Sequence, residues 1–205
     1  MNQSIPSRLW LIRHSAPEAA FARGGRCYGA LDVALDPVRF AAAIDSFDAL
    51  IPLTAAIITS PLARCHALAR ALCNRSTARS LRIEAQLQEM NFGRWEGLAW
   101  SDIPRAEIDA WAAAPLDYKD HGGESVRKLA LRVRAALTGL VASADRRDVV
   151  CITHNGPARV AMTLAKGAAL DSIMGERGIG YGEHINFELD AFAMAMKLVE
   201  NQAYE

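Results

Sequence analysis

A chain of 205 residues, 51% of them hydrophobic, is long enough to bury a full core as one domain. Its 23 basic residues balance 23 acidic ones, so no bulk field draws in nucleic acid or an anionic membrane surface, and any anion selectivity must be local. Cys27, Cys65, Cys73 and Cys151 have neither CxxC nor zinc-ligand spacing, which argues for reduced, mostly buried thiols rather than a secreted disulfide framework. Arg13 and His14 interrupt the one apolar stretch near the amino terminus, and no stretch is apolar for long enough to span a bilayer. A cytoplasmic location is therefore the default expectation.

The first element is the apolar run Leu9-Trp10-Leu11-Ile12, which reads as a buried strand of a parallel sheet and stops at Arg13-His14-Ser15. A glycine-rich loop, Gly24 to Gly29, leads to a helix opening at Asp36-Pro37, where Asp caps and Pro fits the first turn. Ala55 to Ser60 reads as the second strand, and Ser60-Pro61 marks its junction with a helix over Leu62 to Cys73 that carries Arg64 in its first turn. A short strand near Leu81 to Glu84 precedes an irregular stretch from Glu89 to Gly97, and Pro104 to Ala114 reads as a helix with Ile108, Trp111 and Ala112 on one face. Val126, Leu129, Ala130, Val133, Leu137, Leu140 and Val141 recur at helical spacing and predict a long amphipathic helix. Val149 to Thr153 is a further strand, ending at His154-Asn155-Gly156, and a helix follows from about Pro157 to Lys166. Two strands are expected at the end, around Ile185 to Leu189 and Phe192 to Val199. The glycines at 178, 180 and 182 read as a turn, because a dinucleotide fingerprint should follow a strand and open a helix.

Strands alternating with helices predict an α/β fold, a three-layer α/β/α sandwich around a mostly parallel, doubly wound sheet. One domain over residues 1–205 is expected, with 94–121 interrupting the alternation as a lid insertion over the crevice. The blander account of that segment is that Trp95, Trp100 and Trp111 pack a surface subdomain. His14 and His154 both end strands, so both imidazoles should face the same sheet edge, where ligands of such folds bind. Either histidine alone reads equally well as an ordinary turn residue or a satisfied polar group. Arg13 beside His14 changes the balance, since a cation there attracts an anion and discourages protonation of its neighbour. A neutral imidazole in an anion site points to phosphoryl chemistry.

The ordered set Arg13-His14, Ser60-Pro61-Leu62-x-Arg64, Glu89 before Phe92-Gly93-x-Trp95-Glu96-Gly97, and Thr153-His154-x-Gly156-x-x-Arg159 resembles the histidine phosphatase superfamily, the phosphoglycerate-mutase-like fold, from about Leu9 to Lys166. Within it, the loop from Cys27 to Leu35, the lid segment Ile103 to Glu107 with Trp111, and Gly122-Gly123-Glu124-Ser125 look most like the α-ribazole phosphatase branch. That branch dephosphorylates α-ribazole 5′-phosphate or adenosylcobalamin 5′-phosphate late in cobalamin synthesis. The resemblance implies that His14 forms a phosphohistidine, that Glu89 is the proton donor and then the base, and that His154 is a further donor to the transferring group. Arg13 and Arg64 would grip phosphate oxygens, with Ser15 or Asn155 as neutral donors. Glu84 and Glu96 lie close enough in sequence to compete for the role given to Glu89. His121 and His184, the latter with Asn186, are further residues that would contact substrate if their segments reach the crevice, whereas His66 reads as solvated or packed.

The implied partner is a small-molecule phosphomonoester, with no nucleic acid, membrane, metal or cofactor, and a homodimer is one assembly the sequence allows. Ser15 and Asn155 depart from the small residues common at these positions, which bears on substrate more than on reaction type. A phosphoglycerate mutase is the first rival, but Arg26, Arg94, Arg105 and Lys119 are only scattered candidates for its basic segments. A non-catalytic phosphate-binding module, a broad-range phosphatase and a metal-dependent hydrolase are the others. The last lacks HxH, HExxH or Asp-rich spacing.

Overall fold

In the computed structural model, which describes residues 6–22 and 25–200, β1 (Arg8–Arg13) is an interior strand whose side chains alternate between two cores. Leu9 and Leu11 join one apolar cluster, Trp10 and Ile12 the other, as the two-residue period of a strand covered on both faces requires. The remaining strands are β2 (Ala56–Thr59), β3 (Ser80–Ile83), β4 (Val149–Thr153) and β5 (His184–Glu188), in the order β3-β2-β4-β1-β5. All neighbours are parallel except β5, which runs antiparallel to β1 with Ile12 opposite His184. Gly24 of the glycine-rich loop lies outside the described residues.

The helices are α1 (Ala19–Ala22), α2 (Pro37–Leu50), α3 (Ala63–Arg75), α4 (Arg105–Ala113), α5 (Val126–Ala142), α6 (Asn155–Ala165) and α7 (Leu189–Glu200). On one sheet face Phe47 of α2 and Leu68 and Leu72 of α3 pack against Trp10, Ile57 and Ile152. On the other, Val133 and Leu137 of α5, Val160 of α6 and Phe192 of α7 pack against Leu9, Leu11 and Cys151. This is the three-layer, doubly wound arrangement the element pattern predicts. Asp36 caps α2, accepting from the Val38 and Arg39 amides. The cap of α3 comes from far along the chain: Leu62 offers no side-chain acceptor, and the Asp32 carboxylate accepts from Ala63 N–H at 2.9 Å.

The last segment corrects the sequence reading. Residues from Phe192 to Val199 form helix α7, not a strand. The Ala-Met alternation in Phe192-Ala193-Met194-Ala195-Met196 mimics a strand period, yet Ala, Met, Leu and Lys are strong helix formers. Phe192, Met196 and Val199, spaced four and three apart, are the residues that bury, while Met194 and Leu198 face outward. All four cysteines are free thiols, three of them buried. No helix among the described residues is long and apolar enough to cross a membrane.

On α5, Leu137 is fully buried and Leu131 is 42% exposed. Leu137→Ala should destabilise the fold by about 2–5 kcal/mol in urea titration, whereas Leu131→Ala should stay within about 0.5 kcal/mol; comparable losses would contradict the assigned core face.

Candidate active site

Register places the two histidines. Because Arg13 pairs with Thr153 across the parallel β1–β4 ladder, His14 and His154 leave adjacent strands side by side, with ring centroids 5.2 Å apart. The His14 ring nitrogen Nδ1 lies 2.8 Å from the Ser15 carbonyl, which can only accept, so Nδ1 carries the proton and Nε2 keeps its lone pair. Burial first, then the nearby Arg64 and Arg13 charges, lower the His14 pKa from 6.5 to about 3, against the opposing hydrogen bond that His14 donates to the Ser15 carbonyl. His154 is fully buried and held well below the ordinary value by the same burial and by Arg64. Its Nδ1 accepts from Arg64 Nε at 3.3 Å, which leaves Nε2–H to donate to Ser60 Oγ at 2.8 Å.

Arg64, in the first turn of α3, is 1% exposed. Besides His154 it donates from Nη1 to the Leu31 carbonyl and from Nη2 to the Gly29 carbonyl, and Asp32 lies 3.6 Å away. The loop supplying those carbonyls is organised by Glu96, whose carboxylate accepts from the amides of Gly29, Ala30, Leu31 and Phe92. Gly29 is required there, since a Cβ would meet the Met90 carbonyl at 1.8 Å.

These commitments separate the three acidic residues that the sequence left in competition. Glu96 is spent on the loop, and Glu84 caps a 3₁₀ turn at Gln86 and pairs with Arg82. Glu89 alone of the three lines the cavity that holds His14, Arg13 and Arg64, a space of about 210 Å³. Its carboxylate accepts from the Gly156 amide at 3.1 and 3.2 Å, at the start of α6. Gly156 leaves room for it, because a Cβ would stand 2.2 Å from Glu89 Oε1.

Arg13 donates to the Ile179 carbonyl at 2.9 Å and stacks 3.7 Å over the Tyr181 ring, while its buried Nε has no partner. Asn155 lines the same cavity, and its side-chain oxygen accepts from Ile179 N–H, tying the glycine-rich turn to α6. Ser15 Oγ is buried without a partner and, like His154, stands behind the cavity wall rather than in it. Two residues to which no sequence motif assigns a role also line the cavity, Tyr28 and Tyr181, whose hydroxyls meet at 2.5 Å. Burial and that bond keep the Tyr28 hydroxyl protonated. The turn holding Tyr181 reaches the site because β5 pairs with β1, a partnership no local pattern announces.

A second cavity, of about 230 Å³, adjoins the first and shares Glu89, Phe92, Trp100 and Asn155 with it. Trp100 and Trp111 of the 94–121 segment wall it, and Trp95 sits at the centre of a buried aromatic cluster with Tyr118 and His121, so the segment both packs and shapes a site. His121 is buried, accepting from Gly123 N–H, and is not in either cavity wall. His184 packs on Trp10 and Phe47, Asn186 accepts from Arg8, and half-buried His66 follows Cys65 on α3, all away from the two cavities. A larger cavity, of about 580 Å³, lies at the opposite sheet edge near Ser7 and Arg146 and contains neither histidine. Among the described residues, no three His, Cys, Asp or Glu side chains converge as metal ligands.

A strand-end histidine with a free Nε2, flanked by guanidiniums and a carboxylate at the carboxyl edge of a mostly parallel sheet, forms a candidate site for a phosphoryl group. The profile of the histidine phosphatase superfamily (branch 1) matches residues 9–199, and the chain belongs to that superfamily as a phosphoric monoester hydrolase. It is 32% identical over 164 residues to a glucosyl-3-phosphoglycerate phosphatase of Mycobacterium tuberculosis, covering 73% of this chain and 70% of the relative. A mycobacterial glucosyl-3-phosphoglycerate phosphatase solved with VO3 superposes with a TM-score of 0.73 at 27% identity, over 90% of this chain and 94% of that one. The Escherichia coli structure described as "a putative alpha-ribazole-5'-P phosphatase" gives 0.78 at 20% identity, over 89% and 90%, a likeness of fold alone.

The depressed His14 pKa has a sign for stability. The unfolded chain takes up this proton near pH 6.5 and the folded chain only near 3, so the contribution is present above 6.5 and is lost as pH falls toward 3. Between about pH 7.5 and pH 5 the parent should lose about 2 kcal/mol more unfolding free energy than His14→Gln, read by urea titration at each pH; equal losses would show that His14 is not held neutral.

Proposed function

We propose that His14 Nε2 attacks the phosphorus of a phosphomonoester, breaking the bond to the leaving oxygen while Glu89 delivers a proton to that oxygen. The free lone pair of a neutral, oriented imidazole carries this reading. Arg13, which lines the cavity, and the remaining N–H groups of Arg64 neutralise charge on the equatorial oxygens. Glu89, now ionised, takes a proton from water as its oxygen attacks phosphorus, the P–N bond breaks, and neutral His14 and inorganic phosphate result. His154 acts on Arg64 from behind the cavity, and Asn155 acts on Arg13 through Ile179. Of Arg26, Arg94, Arg105 and Lys119, Arg26 alone lines the cavity; Arg94 pairs with Glu107 and Arg105 with Asp109, which supports hydrolysis over phosphoryl retention.

For the alcohol, the aromatic cavity next to Glu89 supports a planar leaving group, and α-ribazole 5′-phosphate is the substrate we favour, with adenosylcobalamin 5′-phosphate as its larger form. Identity to the mycobacterial relative and the Arg26 charge at the mouth favour a second reading, a sugar-acid phosphate of the glucosyl-3-phosphoglycerate kind. A phosphate-release panel containing these esters, nucleotides and phosphoglycerates, run with and without chelator, separates them. The highest kcat/KM should fall on α-ribazole phosphate, and uniform low values would indicate a broad-range phosphatase. His14→Ala should abolish both turnover and the acid-labile phosphoenzyme.

Glu89→Gln should slow alkyl phosphates by about 10²–10⁴ while slowing 4-nitrophenyl phosphate far less, since nitrophenolate leaves without help. Gly156→Ala, by pushing Glu89 aside, should show the same leaving-group dependence in weaker form. Equal losses on both esters would remove Glu89 from the role of acid.

A further inference from the structure

Glu89 lies between two 3₁₀ turns, Ala85–Leu87 and Gly93–Trp95, in a stretch with no strand or helix of its own to hold its backbone. The carbonyls of residues 86 to 89 are nevertheless all taken. Arg132, on α5, donates from Nη1 to the Gln86 and Gln88 carbonyls and from Nη2 to the Glu89 carbonyl at 3.1 Å. The Leu87 carbonyl between them accepts at 2.7 Å from Thr153 Oγ1, on the residue before His154. The rest of the Arg132 fork meets Glu124: Nε and Nη2 donate to its two carboxylate oxygens, each at 2.7 Å. All five guanidinium N–H groups therefore have acceptors, and three of those acceptors are carbonyls of the stretch that carries Glu89. Glu124, 7% exposed, matches the charge of Arg132.

We infer that Arg132, locked by Glu124, is the positioning residue for Glu89, setting where the carboxyl stands relative to the leaving oxygen without touching substrate. The inference rests on the assignment of Glu89 as proton donor above and extends it to the residues that make that role geometrically possible. Arg132 lines neither the phosphate cavity nor the aromatic one. Glu89 is instead tied at two points of different origin, its side chain to the Gly156 amide of α6 and its backbone, through Arg132, to α5. Proton transfer needs the carboxyl within hydrogen-bond reach of the leaving oxygen, and a displacement of about 1 Å takes it out of that reach. A planar fork with five donors in fixed directions can hold three carbonyls and a carboxylate at once, whereas an ammonium cannot.

The test compares kcat/KM for phenethyl phosphate, whose alkoxide leaves poorly, with that for 4-nitrophenyl phosphate, in the intact chain, Arg132→Met, Arg132→Lys, Glu89→Gln and the Arg132→Met/Glu89→Gln double variant. Arg132→Met should lower the phenethyl-to-nitrophenyl ratio by about tenfold to a hundredfold, because a misplaced acid matters only where the leaving group needs its proton. Arg132→Lys, which keeps the charge beside Glu124 but cannot span the carbonyls, should lower the ratio in the same direction. On the Glu89→Gln background, Arg132→Met should leave the ratio unchanged, since no proton donor remains to be misplaced. Because the ratio is taken within each variant, incomplete folding cancels, and Arg132→Lys carries the test should the methionine variant not fold. A parental ratio in either Arg132 variant that folds, or a further fall of the ratio when Arg132→Met is added to Glu89→Gln, would overturn the inference and leave Glu89 its role. A parental ratio in Glu89→Gln itself would refute the proton-donor reading, and this inference with it.

Discussion

The buried guanidinium of Arg64 is the constraint around which the site is arranged. Removing a cation from water is costly, and the cost is offset only where its donors are met and its charge has a use. Here the Gly29 and Leu31 carbonyls and the His154 ring nitrogen meet them. Those contacts also determine the neighbours' states. His154 must present an unprotonated Nδ1 to Arg64, and the same charge, added to burial, keeps His14 neutral. One buried charge therefore sets the tautomer of one histidine and helps set the protonation of the other.

Keeping Arg64 in place draws on stretches far apart in sequence. Glu96 gathers four amides of the 29–31 loop and Phe92, which turns the Gly29 and Leu31 carbonyls toward the guanidinium. Asp32, from the same loop, caps the helix that carries Arg64. Arg13 is held in a comparable way from the other side, through the Ile179 carbonyl and the Tyr181 ring, with Asn155 tying that turn to α6. Most of these partners are backbone groups, so the anion site is as rigid as the loops that build it.

Glu89 stands where two different environments meet. On one side are cations and the nucleophile, and on the other are aromatic and aliphatic walls supplied partly by the 94–121 segment. A group at that boundary faces both cavities at once. That is the position the proposed proton donor requires, and Gly156 is the residue that yields space to its carboxylate.

Local pattern alone determined the apolar runs of β1, β2 and β4, the amphipathic stripe of α5, the Asp36-Pro37 helix start, and the strand-end positions of His14 and His154, because each is written in periods of two or 3.6 residues or in cap chemistry. Where short-range signals conflicted, it failed: the alternation in 192–199 imitated a strand, and burial on α5, α6 and β1 made it a helix. Which of Glu84, Glu89 and Glu96 lines the His14 cavity, and the arrival of Tyr181 beside Arg13, were decided only by tertiary structure. Hydrogen bonds between segments 60 to 170 residues apart consume some acidic and polar side chains and leave others free to meet substrate. No window of local sequence records which partner each group will find.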